Sequence, residues 1–254
     1  MTDSRTDRAA RAWIRSMALF AETQPGGYYR EGTAGTSELV TGAPMPLLNG
    51  VIGIAADPDP GEIAEFAASV RLAAVAWSIQ VRGERVADRI AATAAAHGLG
   101  RETHLPFMLK DLDADDAREA ADGVKVRHVS SVDSDLYRTT MAAGYEGPDP
   151  LFTVFARPSV LDHPTMRAYV AEVDGTPVAT SFGVLVDDLV GVFNIGVPPE
   201  FRRRGYGRAA TAAVLRDAYA LGARTAFLHA SPLGVPLYEA MGFGHAETWS
   251  LFTQ

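Results

Sequence analysis

The sequence predicts an α/β fold in two halves, each a mixed sheet flanked by helices. In the first half, strand-like runs alternate with helix-like segments, an order typical of helices packed on a sheet. The second half begins with strand-like runs joined by tight turns and continues in a β-α-β-α-β order. The acidic, polar stretch 111–123 lies between the halves. We therefore predict two domains, 1–122 and 123–254, each near common domain size; the alternative is one continuous domain with an exposed acidic loop.

The first half contains six candidate elements with recognisable ends. They are helix 8–23, strand 47–55, helix 62–71, strand 74–81, helix 85–96 and strand 104–112. Pro25 and two following glycines end the first helix, and Asp59 followed by Pro60 opens the second. Gly98 closes the third. No grouping of nucleophile, base and orienting residue is visible in this half.

The second half contains more strands and a clear turn chemistry. Its candidate elements are strands 124–129, 166–173, 178–186 and 190–197, helix 208–221, strand 225–231, a short helix from Pro236, and strand 249–253. The turns Asp174-Gly175 and Asp187-Asp188 suit antiparallel hairpins. Gly222 caps the long helix, and Gly242 ends the short one.

Composition excludes several classes of protein and site. The 254 residues include no cysteine, which excludes disulfide scaffolds, thiol catalysis and cysteine-based zinc sites. No apolar run reaches the roughly 18 residues of a spanning helix, and the charged N-terminus lacks the apolar core of a signal peptide. The net charge of −8 disfavours nucleic acid and anionic membranes as partners. We predict a cytoplasmic protein without a metal, nucleic-acid partner or membrane partner.

A basic, glycine-containing loop stands out against this acidic background. Its residues are Arg202, Arg203, Arg204, Gly205, Tyr206, Gly207 and Arg208. The loop joins a strand to a helix, where unpaired N–H groups and the helix dipole favour an anion. Glycines let the backbone approach a phosphate, and arginines add forked donors. The loop therefore predicts a site for a small phosphorylated ligand.

Two other phosphate motifs fail on context. A nucleotide P-loop needs Gly-Lys-Ser/Thr, which does not occur here. The run 205–210 fits the dinucleotide pattern GxGxxA, but that fold requires an acidic residue about 20 positions later, at the end of the next strand. The strand 225–231 has no acidic residue, and only 47 residues follow Gly207, too few to complete a doubly wound sheet.

Two motifs together resemble the GNAT superfamily of N-acetyltransferases. The run VPPEFRRRGYG at 197–207 resembles the family signature Val-x-Pro-Glu followed by Arg-x-x-Gly-x-Gly, and LYEAMGF at 237–243 resembles its second element. The resemblance covers roughly residues 124–254. In the first half, the strand-helix-strand run 75–112 looks like the tail of a degenerate copy. That copy lacks a phosphate loop, because nothing near 57–62 resembles the signature. The resemblance thus implies two GNAT-like domains in tandem.

The resemblance implies an acetyl-CoA-dependent N-acetyltransferase. It implies acetyl-CoA as cosubstrate and direct transfer to a primary amine, which we expect to belong to a small molecule. The strand before the loop would carry a bulge and splay from its neighbour. The main chain of Ile195, Gly196 and Val197 would pair with pantetheine, and an N–H there would polarise the thioester carbonyl. The loop from Arg202 to Arg208 would hold the pyrophosphate.

The resemblance also suggests a general acid and marks two departures. Tyr238 would protonate the departing thiolate, because a phenol can donate a proton as charge develops on sulfur. Many family members carry Asn where Ser231 stands, so this cofactor contact would be shortened or replaced by water. Ala226 stands where ribosomal-type protein N-acetyltransferases carry a basic Glu.

The general base therefore stays unassigned. Candidates are Glu146, Asp149, His229, Asn194 and a relayed water. Two other functions also stay open: a protein or peptide N-acetyltransferase, and a non-catalytic acyl-CoA-binding module. For the assembly we expect a monomer or a homodimer.

Overall fold

The computed structural model describes residues 4–116 and 123–254. Its α-helices are α1 (Arg5–Glu22), α2 (Pro60–Ala67), α3 (Asp88–Ala96), α4 (Ser134–Tyr145), α5 (Pro158–Leu161), α6 (Tyr206–Ala220) and α7 (Val235–Glu239). Its strands are β1 (Tyr28–Glu31), β2 (Thr36–Val40), β3 (Asn49–Gly53), β4 (Ser78–Arg82), β5 (Arg101–Asp111), β6 (Lys125–Val129), β7 (Met166–Val173), β8 (Thr176–Val186), β9 (Leu189–Gly196), β10 (Thr225–His229) and β11 (Gly244–Thr253). The strands and helices form the predicted mixed sheets flanked by helices.

The chain folds as two compact units that are not contiguous in sequence. The first unit contains the described residues up to Leu109 together with His229–Tyr238 and Gly244–Gln254. The second contains the described part of Lys110–Leu228 together with Glu239–Phe243. The first unit thus includes late segments that the sequence assigned to the second half. The predicted boundary between 122 and 123 borders segment 117–122, which lies outside the described residues, so it stays a prediction.

The first unit has a sheet in the order β1-β2-β3-β4-β11-β5. Its pairings are antiparallel except for β3 with β4. Apolar residues of the sheet and of α2 and α3 form one core, including Val51, Ile63, Ile79, Ile90 and Phe252. The last strand of the chain therefore lies between two strands that precede it by more than a hundred residues.

Arg82 on β4 connects three parts of the first unit. Its Nε and Nη2 donate to the two carboxylate oxygens of Glu247 on β11, at 2.7 and 2.9 Å. Its Nη1 donates to Asp7 Oδ1 on α1 at 2.7 Å and to the Ile54 carbonyl at 3.0 Å. Trp249 Nε1 donates to the same Glu247 at 2.7 Å. The Arg82 side chain is only 5% exposed, so its guanidinium is shielded from water, while the Asp7 and Glu247 side chains are 31% and 20% exposed.

The second unit is a meander followed by a parallel strand. Strands β6, β7, β8 and β9 pair antiparallel in sequence order, and β10 adds parallel to β9. The hairpin turns lie where the sequence predicted them, with Asp174, Gly175 and Asp187 at positive φ. Helix α6 packs on β7, β8 and β9, and α4 packs on β8 and β9. This arrangement places the ends of α4 and β9 beside the start of α6.

Four elements were not predicted from the sequence: β1, β2, α4 and the four-residue helix α5. Strand β2 is fully buried although it contains Glu38, whose carboxylate accepts from Arg30 Nε at 2.7 Å. Its polar residues therefore concealed the strand pattern. Helix α4 contains Gly144 and two threonines, which have low helix propensity. Tertiary packing, which a local pattern does not reveal, stabilises both elements.

Candidate functional site

Strand β9 carries a bulge near its C-terminal end. Thr180 of β8 pairs with Gly196 of β9, and the next register pair is Phe182 with Phe193. Between these pairs β8 spans two residue steps and β9 spans three, so β9 contains one extra residue. The extra β9 residue coincides with Asn194, which has a φ of 53°. Asn tolerates this left-handed region better than most residues. The bulge redirects the end of the strand, as bulges beside functional sites commonly do.

On its other side, the C-terminal part of β9 also separates from its neighbour β10. The parallel register joins 225–227 of β10 to 189–191 of β9 and then stops, although β9 continues to Gly196. Within the part of the second unit that the structure describes, no strand pairs with this side of 192–196. The main chain around Ile195 and Gly196 is therefore available to an extended ligand that offers amide groups.

The end of α4 contacts the end of β9 closely. A Cβ added to Gly144 would lie 2.7 Å from the Gly196 carbonyl carbon, and one added to Gly196 would lie 3.2 Å from the Tyr145 ring. Position 144 therefore requires glycine, because a side chain there would separate the two elements, whereas a side chain at 196 would require the Thr180 and Tyr145 side chains to move slightly. The close approach fixes the direction in which β9 enters the arginine loop.

The arginine loop presents a set of unused main-chain donors. Arg203 has a φ of 64° and Gly205, the N-cap of α6, a φ of 85°. Along the chain from Arg203, the first N–H group that donates a main-chain hydrogen bond is that of Ala209, which donates to the Gly205 carbonyl at 3.0 Å. Among the described residues, the N–H groups of 203–208 donate no hydrogen bond. Converging donors at a helix N-terminus are suited to a phosphate.

Arg202 is held by protein groups rather than directed at a ligand. Its Nε donates to the Val197 carbonyl at 3.0 Å, and its Nη2 to the Gly144 carbonyl at 3.2 Å. The same Nη2 lies 2.6 Å from Glu146 Oε2. Glu146 ends α4 in the left-handed conformation. Arg202 therefore joins the end of α4 to the strand before the loop.

The other loop arginines differ in their engagement. Arg208 Nη1 donates to the Ala240 carbonyl at 3.1 Å. Arg203 and Arg204 are exposed, and neither side chain has a hydrogen bond or ion pair with any residue that the structure describes. Of the predicted phosphate-binding arginines, Arg203 and Arg204 are thus the two whose charge is fully available to an anion.

The first unit has a comparable strand-to-helix junction before α2, but a carboxylate caps it. Asp59 Oδ1 accepts from the N–H groups of Gly61 and Glu62 at 2.7 and 3.1 Å. These are the donors that a phosphate would need, and the carboxylate would also repel one. This capping gives a physical reason for the missing phosphate site in the first half.

Tyr238 and Ser231 lie together in the first unit. A Cβ added to Gly234 would lie 2.9 Å from the Tyr238 ring and 3.3 Å from Ser231 Oγ. Ser231 Oγ accepts from the Gly234 N–H at 3.2 Å and so closes the turn before α7. Tyr238 is 8% exposed, and burial raises its pKa to about 12. Its phenol is therefore protonated at any pH near neutrality.

The contacts and chemistry of the four candidate side chains make each of them a poor general base. Glu146 pairs with Arg202, and Asp149 forms an ion pair with Arg138. Asn194 has an amide and cannot take a proton at neutral pH. Burial lowers the pKa of His229 to about 3, so its neutral imidazole is a weak base. A relayed water is the one candidate that these contacts do not weaken.

His229 belongs to an aromatic cluster in the first unit. Its ring centroid lies 5.4 Å from Trp13, 4.9 Å from Phe107 and 4.8 Å from Trp249. Its Nε2 is enclosed and has no hydrogen-bond partner among the described residues. An imidazolium there would lack a counter-charge, and its enclosed Nε2 would not reach water. The cluster therefore favours neutral histidine.

We expect this histidine to make the protein less stable as the pH falls. Its pKa is about 3 in the folded state and about 6.5 in the unfolded chain, so only the unfolded state binds the proton between these values. From pH 6.5 to 5 the free energy of unfolding should fall by about 1.5 kcal/mol more in the wild type than in His229→Leu. Urea unfolding across this range measures the difference. Exposed His245→Gln is the control, and equal slopes in wild type and His229→Leu would contradict the assignment.

Two classes of feature were not found in the described part of the chain. No helix there is long and apolar enough to cross a membrane. No group of histidine, aspartate and glutamate side chains there is arranged to hold a metal ion.

Comparisons with known proteins agree with this geometry. Residues 134–243 match the model of the acetyltransferase (GNAT) family. The chain resembles the structure of a GCN5-related N-acetyltransferase from Kribbella flavida, with 21% identity, a TM-score of 0.68, and coverage of 98% of this chain and 96% of that one. It also resembles a functionally unknown conserved protein from Staphylococcus epidermidis, with 17% identity, a TM-score of 0.66, and coverage of 94% and 99%. No curated protein matches the sequence. At these identities the structural likenesses show a shared fold, and they extend over both halves.

Proposed function

We propose that the chain is an acetyl-CoA-dependent N-acetyltransferase and that its acceptor is the primary amine of a small molecule, since residues 134–243 match the model of the acetyltransferase (GNAT) family. We propose further that the acetyl group passes directly from the thioester to the amine. The observation that carries this proposal is the α6 junction, where unused N–H groups of 203–208 lie beside a bulged, splayed β9.

The residues around this junction fit the parts of acetyl-CoA. The unused N–H groups and the available charges of Arg203 and Arg204 suit the pyrophosphate. The unpaired side of β9 at Ile195 and Gly196, continuing to Val197, suits the pantetheine amides. Arg202 would act differently from the neighbouring arginines, holding the loop in place through Glu146. Tyr206, Gly207 and Arg208 would contribute main-chain donors, and Ser231 a cofactor contact through water.

Bound acetyl-CoA supplies an activated carbonyl carbon with a thiolate leaving group. In the proposed reaction the amine nitrogen forms the new C–N bond, and the C–S bond breaks. Tyr238 donates its proton to the departing sulfur, and a main-chain N–H at the bulge polarises the carbonyl. The amine proton leaves through a relayed water, since the nearby carboxylates are paired.

The phosphate assignment is tested by removing the two available charges. Acetyl-CoA affinity should fall by about 10- to 30-fold in the double variant Arg203→Ala/Arg204→Ala, since exposed charge-assisted hydrogen bonds contribute about 1 kcal/mol each. Titration calorimetry measures the affinity for acetyl-CoA, and the loss of affinity in the double variant should be smaller at high salt. The double variant Arg85→Ala/Arg89→Ala changes the net charge equally and should bind as the wild type does. Equal affinity for acetyl-CoA in both double variants would contradict the assignment of Arg203 and Arg204 to the pyrophosphate.

The acceptor is tested by turnover. A panel of small amines and of peptides with free N-termini is assayed for release of the CoA thiol. Turnover of small amines supports the proposal, whereas turnover of peptides alone would indicate a peptide acetyltransferase. Acetyl-CoA binding without turnover of any amine would favour a non-catalytic module.

A further inference from the structure

The β9 bulge leaves Ser181 on β8 without a register partner on β9, although Ser181 pairs with Tyr169 on β7. Its neighbours at 180 and 182 pair with β9, whereas Ser181 lies opposite the extra residue. Its carbonyl accepts a long hydrogen bond, 3.4 Å, from the Tyr137 hydroxyl. Its own hydroxyl donates to the Ala210 carbonyl on α6 at 2.8 Å. Ser181 is thus bonded both to α4 and to the helix that carries the arginine loop.

The Tyr137 hydroxyl lies at this bulge from the side of α4. Tyr137 is fully buried, and burial raises its pKa well above the usual value, while the amide of Asn194 faces the hydroxyl and acts in the opposite direction. Asn194 Nδ2 is enclosed and has no hydrogen-bond partner among the described residues. The phenol therefore donates to the β8 residue opposite the bulge, and the unsatisfied amide of the bulged β9 residue faces it.

A hydroxyl buried at this depth costs free energy unless it is bonded, and phenylalanine would fill the same space. The hydroxyl is therefore explained by the polar groups that the bulge exposes. We infer that Tyr137 is a positioning residue, an inference that takes the identity of the ligand from the proposed function. The Tyr137 hydroxyl fixes the β9 bulge and so directs the main-chain N–H groups at the thioester carbonyl. It does not touch the reacting atoms.

The test compares two buried tyrosines that each lose one hydroxyl. Tyr137→Phe removes the contact at the bulge. Tyr169→Phe is the matched control, because Tyr169 is 1% exposed and, although Tyr169 on β7 pairs with Ser181, its hydroxyl donates at 3.0 Å to Asp217 on α6 and not to the bulge. Each variant is bound to acetyl-CoA labelled with ¹³C at the thioester carbonyl, and the resonance of the bound label reports carbonyl polarisation. The readout does not depend on an identified acceptor.

In the wild type and in Tyr169→Phe we expect the bound carbonyl resonance to lie downfield of that of free acetyl-CoA. In Tyr137→Phe it should return toward the free value, while the affinity for CoA changes by less than about threefold. Any amine substrate found in the panel should show kcat lowered about 10-fold, as a small misplacement of catalytic groups would cause. A Tyr137→Phe resonance equal to that of the wild type, or an equal change in both variants, would overturn the inference.

A second pair of variants decides the matter if Tyr137→Phe does not fold. Asn194→Ala disfavours the left-handed backbone at the bulge, and Asp187→Ala does the same in the exposed turn between β8 and β9, where φ is 52°. Only Asn194→Ala should move the resonance; no change in it would overturn the inference. A wild type that binds acetyl-CoA without any carbonyl shift would overturn this inference and the proposed polarisation of the carbonyl, but not the proposed acetyl transfer. A wild type that binds no acetyl-CoA would overturn the proposed function as well.

Discussion

Replacing Tyr238 with phenylalanine should lower kcat by about 100-fold, the lower end of what a general acid contributes. The KM for acetyl-CoA should change little, because the hydroxyl acts on the leaving sulfur. Since the pKa of Tyr238 is raised to about 12, the phenol stays protonated through the assay range. The wild-type kcat profile should therefore show no loss from this group up to about pH 11.

The measurement requires a small amine from the panel and stopped-flow detection of the CoA thiol, so that the chemical step is observed directly. Tyr29→Phe is the matched control, because Tyr29 is a partly buried tyrosine of the same unit whose hydroxyl contacts Ser37. Its kcat should equal that of the wild type. A Tyr238→Phe enzyme with unchanged chemical rate would refute the role of general acid.

Replacing Arg82 with methionine should lower the free energy of unfolding by about 3 to 5 kcal/mol, the usual loss when one partner of a buried ion pair is removed. The change leaves the carboxylates of Glu247 and Asp7 without their shared cation. Urea unfolding followed by tryptophan fluorescence reports it, since Trp13 and Trp249 lie in the same unit.

Two comparisons separate ion-pair loss from lost packing. Arg15→Met breaks an exposed pair with Glu22, whose side chains are 52% and 56% exposed, and should cost less than about 1 kcal/mol. Adding Asp7→Asn and Glu247→Gln to Arg82→Met removes the unpaired charges and should restore part of the stability. A loss for Arg82→Met no larger than that for Arg15→Met would show that the network is not stabilising.

The features predicted well from the sequence depend on local chemistry. The hairpin turns at 174–175 and 187–188 and the glycine that closes α6, Gly222, depend on consecutive residues, so the local sequence identified them. Two short motifs likewise indicated the resemblance to the acetyltransferase (GNAT) family, whose model matches residues 134–243. Helix α6 begins at Tyr206 rather than at residue 208, because helical geometry starts directly after the left-handed Gly205.

The features missed depend on contacts between distant residues. Tyr137 and Ser181 are 44 residues apart, and Arg82 and Glu247 are 165 apart, so no local spacing signals either contact. The arginines of the loop look equivalent in sequence, yet Arg202 is engaged because Gly144 and Glu146 end α4 beside it. Only the folded chain distinguishes an arginine held by carbonyls from one available to a ligand.

The position of β11 has a consequence for how the protein is made. About 130 residues separate the end of β5 from the start of β11, so a ribosome adds the missing strand on the order of 10 s after its neighbours emerge. During that interval β4 and β5 have unpaired facing edges, which are prone to association with other chains. We expect the part translated first to be the last to complete its sheet, and nascent chains stopped before β11 to need chaperones that complete chains do not.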